Sequence, residues 1–233
     1  MVASYGTSAP RVEGFRRLFA HMLVLTVALM TALGASTPAM AAASRPIKMV
    51  VLGDSLSAGL GLSGPEAFPA RLQKALKAKG IDVDMVNAGV SGDTASGGRD
   101  RLDWSVPEGT EAVIVELGAN DALRGLDPAV TRAALSDIVA RLKARKIAVM
   151  LCGMLAPPNY GSDYAARFNA IYPDLAKSFG VPLYPFFLEG VAADKKLNQA
   201  DGIHPTAEGV DIIVRNVLPT VEAFLGSIGG QRS

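Results

Sequence analysis

The 233 residues are 49% apolar and carry a formal net charge of +1: enough for a sizeable core, too little excess charge of either sign for a nucleic-acid surface. The length suits one α/β domain rather than a minimal one, and after the N-terminus there is no low-complexity tract and no repeat at periods of about 20–50 residues. A single cysteine, Cys152, cannot close an internal disulfide, and the one histidine and one cysteine left once the N-terminal segment described below is removed are too few ligands for a zinc site.

The N-terminus has its own character. Arg11, Arg16 and Arg17 precede an apolar run from Leu18 to Leu33, and small residues follow from Ser36 to Ala43. A positive region, an apolar region and an Ala-x-Ala site make a secretory signal, read as residues 1–41, with cleavage after Ala39-Met40-Ala41 and Ala41-Ala42-Ala43 as second choice. Export places the mature protein, residues 42–233, in the periplasm or outside the cell. A retained membrane anchor is the competing reading, but Thr26, Thr31 and Gly34 interrupt a run already short for a span. Arg16-Arg17 faintly resembles a twin-arginine signal without the polar residue usual before the pair. Cleavage removes His21 and leaves His204 as the one histidine of the mature chain.

From there strands and helices alternate. Ile47–Leu52 is an apolar run ending in Gly53-Asp54-Ser55, and Gly53 lets the chain turn sharply where the strand stops. Phe68, Leu72, Ala75 and Leu76 keep helical spacing up to a stop at Gly80. Ile81–Val86 reads as a second strand, followed by a loop, Asn87 to Gly98, running into a short helix near Ala95–Leu102. Ala112–Leu117 is a third strand, ending at Gly118-Ala119-Asn120-Asp121. Asp127-Pro128 then supplies a cap and a first-turn proline for a helix whose buried face holds Val130, Ala134, Leu135, Ile138 and Leu142. Ile147–Leu151 is the fourth strand, and Cys152 at its end packs as a small hydrophobe. A loop at Ala156–Gly161 leads to a helix carrying Tyr164, Phe168, Ile171, Tyr172 and Leu175, kinked or divided by Pro173. Val181–Tyr184 is a short fifth strand. After Asp201-Gly202-Ile203-His204, Pro205 opens a last helix packed through Val210, Ile213, Val214, Val217 and Leu218. Nearly all-apolar strands between helices predict a parallel sheet covered on both faces, here a three-layer α/β/α flavodoxin-like domain with five strands.

Three polar clusters, at Gly53-Asp54-Ser55, Ser91-Gly92-Asp93 and Gly118–Asp121, follow strands and therefore emerge at the carboxyl edge of such a sheet, where open α/β sheets place their ligands. The fourth, Asp201–His204, lies between the last strand and the last helix and can reach the same edge. Together they hold the parts of an acyl-transfer site: a nucleophile, oxyanion donors, and a base with an orienting acid. Each also has a plain reading, as a βα turn or a helix cap.

In order and on these elements, the four clusters resemble the four sequence blocks of the GDSL (SGNH) serine hydrolase family, and within it the secreted multifunctional thioesterase, lysophospholipase and arylesterase branch. The similarity covers residues 46–226. It implies that Ser55 is the nucleophile, that His204 is the general base and then acid, and that Asp201 orients His204. It further implies an oxyanion hole made by the backbone N–H groups of Ser55 and Gly92 and the side-chain amide of Asn120. The implied substrates are short- to medium-chain acyl esters and thioesters, with no cofactor and nothing that demands more than a monomer. Asp54, Asp93 and Asp121 read as carboxylates bracing the loops; Glu116, inside an apolar strand, pairs within that network. Two other readings stay open: a carbohydrate (acetyl) esterase with the same triad, and a non-catalytic module holding phosphate at the first loop, although no P-loop Gly-Lys-Ser/Thr follows.

Overall fold

The computed structural model describes residues 1–6 and 45–229 and divides the chain into two units, Met1–Ser44 and Arg45–Ser233. Residues 1–6 hold no regular element, and the remainder of the expected signal, with both cleavage sites, lies outside the described residues.

In the second unit each expected apolar run forms a strand: β1 (Ile47–Gly53), β2 (Val83–Gly89), β3 (Ala112–Glu116), β4 (Ala148–Cys152) and β5 (Leu183–Tyr184). They pair in the order β2-β1-β3-β4-β5, all parallel. Chain direction across the sheet reverses between β1 and β3, so the crevice at their carboxyl ends is the expected ligand position of a doubly wound sheet. β5 is short because Pro182 and Pro185 flank it and donate nothing to the ladder; their neighbours Leu183 and Tyr184 carry the pairing.

The helices are α1 (Ser55–Ala58), α2 (Phe68–Ala78), α3 (Ala95–Asp100), α4 (Leu102–Ser105), α5 (Ala119–Leu123), α6 (Pro128–Ala144), α7 (Ser162–Asn169), α8 (Ile171–Phe179) and α9 (Ala207–Gly229). α2 packs on α9, while α6 packs on α3 and α8, giving two helical layers with the sheet between them. Both faces of the central strands are therefore buried; β3 is buried at every residue.

Four local expectations are corrected. β2 runs from Val83 through Asn87-Ala88-Gly89, because Ile81 is spent closing the helix before it (its N–H donates to the Leu76 carbonyl) and the parallel register with β1 carries on to Gly53 opposite Gly89. The α6 face is rotated: Val130 is exposed and Thr131 buried, its hydroxyl donating to Asp121. The helix pair α7–α8 breaks at Ala170 rather than Pro173, which sits in the first turn of α8 where a missing N–H costs nothing. The last helix begins at Ala207; Pro205 instead forms an antiparallel bridge with Asn198.

Candidate active site

β1 delivers Ser55 to the carboxyl edge as the first residue of α1. Asp54 caps that helix, its Oδ1 accepting from the Leu56 N–H at 2.9 Å. Gly53 serves differently from its expected part. Its backbone is not left-handed; instead a Cβ there would strike the Ser57 hydroxyl and the Glu116 carboxyl, so glycine lets α1 settle onto the end of β3. Ser57 donates to Glu116 Oε2 at 2.6 Å, and both are fully buried.

The loop after β5 returns to the same edge. Asp201 Oδ1 accepts from the N–H groups of Ile203 (2.9 Å) and His204 (3.0 Å), folding the segment into a tight turn. Its other oxygen lies 2.6 Å from His204 Nδ1, and His204 Nε2 lies 2.8 Å from Ser55 Oγ. Carboxylate, imidazole and hydroxyl thus form one continuous hydrogen-bonded chain. The Ile203 amide, then the imidazole and the His204 amide, hold the Asp201 carboxyl down at about 2, so it is ionised at neutral pH. Gln199 ties the loop to the segment that follows Ser55: its amide donates to the carbonyls of Leu60 (2.7 Å) and Pro205 (3.0 Å). Nothing in the sequence blocks singles out this glutamine.

Asn120 sits in the first turn of α5, after β3. Its Nδ2 donates to the Asp93 carbonyl at 2.9 Å and to Asp54 Oδ2 at 3.2 Å. Ser55, Asn120 and His204 line one cavity of about 500 Å³, within the usual range of small-molecule sites. Its remaining wall is mostly apolar, built by Leu56, Leu123, the Met154–Pro158 loop and the Phe186–Ala193 loop. A second cavity of about 600 Å³ opens at the opposite, amino edge of the sheet and touches none of these residues. Gly92 is outside the cavity lining; it is exposed, has a φ of 85°, and its carbonyl accepts from Arg124 Nη2 at 2.9 Å. Left-handed backbone, not crowding, is what selects glycine there, since a Cβ would meet only the Arg124 guanidinium.

The bracing carboxylates are in place. Asp121 accepts from the Ala95 N–H and the Thr131 hydroxyl, both at 2.9 Å. Asp93 binds Arg101 Nε at 2.5 Å, and the same guanidinium donates to the carbonyls of Ala88 and Gly53, tying the ends of β1 and β2 to the Gly92 loop. Burial pushes the Asp54 carboxyl up to about 6 against the opposing pull of the Leu56 and Asn120 N–H groups. Burial, then the neighbouring Asp54, raises Glu116 well above the carboxylate range. Cys152, beside Glu116 in the ladder, is buried, and burial raises its thiol well above the ordinary value, which leaves it inert.

Residues 51–212 match the model of the GDSL-like Lipase/Acylhydrolase family. The esterase TesA of Pseudomonas aeruginosa is 42% identical over 178 residues, covering 76% of this chain and 89% of that protein. A protein named thioesterase 1/protease 1/lysophospholipase L1 from Escherichia coli K12 is 42% identical over 166 residues, 71% of this chain and 78% of that one. A crystal structure of TesA superposes with a TM-score of 0.72 at 40% identity, over 76% of this chain and 99% of the other. With its sheet order, its hydrogen-bonded serine and this degree of likeness, the chain belongs to the GDSL-like lipase/acylhydrolase family.

Proposed function

We propose that this chain is an exported serine hydrolase that cleaves short- to medium-chain acyl esters and thioesters through an acyl-enzyme on Ser55. The observation that carries the reading is the unbroken Asp201–His204–Ser55 hydrogen-bonded chain opening into a mostly apolar cavity. The Ser55 oxygen attacks the acyl carbonyl while its proton passes to His204 Nε2. Negative charge develops on the carbonyl oxygen, to be met by the backbone N–H groups of Ser55 and Gly92 and by the Asn120 amide. Collapse of the tetrahedral intermediate expels the alcohol or thiol, which takes the proton from His204. Water, deprotonated by the same imidazole, then releases the acid and restores Ser55. Asp201 keeps the imidazole in the tautomer with Nε2 free and stabilises its charged form.

Relatives named esterase, thioesterase and lysophospholipase support both the reaction class and the breadth of leaving groups. The apolar wall supports an acyl chain rather than a sugar as the group held in the cavity. Residues 1–41 are the proposed signal; among the described residues no helix is long and apolar enough to cross a membrane. The enzyme acts as a monomer on small-molecule substrates. The test is a rate profile over acyl length, with p-nitrophenyl esters and acyl thioesters side by side and an acetylated glycan as a third arm. Turnover that rises from acetyl to medium chains on both linkages is expected; release confined to the glycan would contradict the proposal.

A further inference from the structure

Asn120 can serve as an oxyanion donor only if its nitrogen, rather than its oxygen, occupies the position beside Ser55. The two ends of an asparagine amide have nearly the same shape, so shape alone does not choose between them. Here two acceptors choose: Nδ2 meets the Asp93 carbonyl at 2.9 Å and Asp54 Oδ2 at 3.2 Å. Turned over, the amide would set its own carbonyl oxygen against both, with no proton between any of the three. The Asp93 carbonyl is one acceptor; Asp54 supplies the other, and the only charge.

Capping α1 does not explain why residue 54 is an aspartate. Asparagine and serine cap helices about as well, and neither brings a charge into the interior. Asp54 is fully buried, in no ion pair among the described residues, and faced by Glu116 from β3, Asp121 and Asn120 from α5, and His204 from the loop before α9. Burial accordingly pushes its carboxyl up. Its two oxygens are divided between two tasks: Oδ1 holds the nucleophile's helix through Leu56, and Oδ2 holds the amide of Asn120. We propose that Asp54 is a positioning residue that fixes the amide of Asn120 nitrogen-first and ties it to the helix bearing Ser55; both Nδ2 hydrogens are engaged in the free protein, and the one on the longer contact, to Asp54 Oδ2, is the one an oxyanion shares when substrate arrives. The proposal rests on the reading of Asn120 as an oxyanion donor.

An asparagine at position 54 can still accept from Leu56 but would turn its own amide hydrogens toward those of Asn120. The test is a double-mutant cycle of Asp54→Asn and Asn120→Ala, with kcat and KM measured on one p-nitrophenyl ester near pH 8 and folding checked by circular dichroism. Asn120→Ala is expected to lower kcat by about 10²–10³, as loss of one oxyanion donor does. Asp54→Asn is expected to lower kcat by about tenfold or more with KM little changed, and to cost almost nothing further once Asn120 is gone. If Asn120→Ala keeps wild-type kcat, the oxyanion reading falls and this inference with it. If Asn120→Ala is slow but the Asp54→Asn loss multiplies in full, or Asp54→Asn is as fast as wild type, only the positioning role is overturned. A measurement that leaves position 54 intact guards against a variant that fails to fold. In the wild-type protein near pH 8 the two Asn120 side-chain amide protons should be protected from exchange with solvent, because both are held by Asp93 and Asp54; both exchanging at the rate of an exposed amide would overturn the role.

Discussion

Ser55 and His204 are 149 positions apart in the chain and 2.8 Å apart at the site, and what closes that gap at the residue scale is largely Asp201. Its carboxylate builds the turn through two backbone N–H groups before it orients the ring, so Asp201→Ala removes both supports while Asp201→Asn keeps an acceptor for the turn and loses the charge. Asp201→Asn is therefore expected to fold and bind normally but to lose about 10²–10⁴ in kcat, and Asp201→Ala to lose at least as much and melt lower. Steady-state kinetics and thermal melts on the pair check this; an Asp201→Ala variant both faster and more stable than Asp201→Asn would refute the double role. His204→Ala should be as inactive as Ser55→Ala, because the two move one proton. The hydrogen-bonded contact of Asp201, His204 and Ser55 was legible in the sequence as a possibility, since the turn that holds Asp201 and His204 follows the last strand and can reach the edge where Ser55 stands. The partners of Asn120 were not, because the carbonyl of Asp93 and the buried edge of Asp54 meet it only after three strands have paired.

At the scale of elements, the contact between β3 and α1 explains the odd acid in an apolar strand. Glu116 receives the Ser57 hydroxyl on one oxygen while its other oxygen, Oε1, is buried with no hydrogen-bond partner among the described residues. A neutral carboxylic acid tolerates that setting far better than a carboxylate. Because the folded protein raises this group above its unfolded value, its proton is held more tightly in the native state. Its contribution to stability is fully present below the ordinary carboxyl range and declines as pH rises toward the folded value. Glu116→Gln, which copies the neutral acid, should match wild type near pH 4 and be the more stable of the two by an increasing margin toward alkaline pH. Melting curves across that range decide it, and a gap that shrinks with rising pH would contradict the account. Arg101 is the second structural device of this edge, only 12% exposed in its side chain and donating to Asp93, Ala88, Ser105 and Gly53. Arg101→Ala leaves those carbonyls and a carboxylate unmet and should cost about 2–5 kcal/mol in chemical denaturation; a loss below about 0.5 kcal/mol would make it an ordinary surface arginine. The sequence announced most helices and strands through apolar periodicity, but β2 took its end from the register with β1, and the break between α7 and α8 at Ala170 left no proline or glycine to mark it.

At the scale of the whole molecule, the order β2-β1-β3-β4-β5 puts the two critical loops on either side of the one point where the sheet's winding reverses. Because every strand pair is parallel, clusters separated by dozens of residues share an edge, and the alternation of apolar runs and polar turns was enough to place the first three there. The cavity wall was not legible in the same way: Met154–Pro158 and Phe186–Ala193 are irregular segments, and no periodicity tells which of their side chains turn inward. A chain beginning at Ala42 is expected to be soluble and fully active, and mass spectrometry of the exported protein should find its N-terminus there; an intact Met1 in the membrane fraction would favour the anchor instead. The central claim is that a single activated serine carries the chemistry, and covalent labelling tests it most directly. A fluorophosphonate or alkyl phosphonate added to the folded enzyme, followed by peptide mass mapping, should place one adduct per chain on Ser55, with ester and thioester turnover lost in step and no adduct in His204→Ala over the same time. Full turnover persisting in protein whose Ser55 carries the adduct, or an adduct on Cys152 or another serine that tracks the loss of activity, would contradict it.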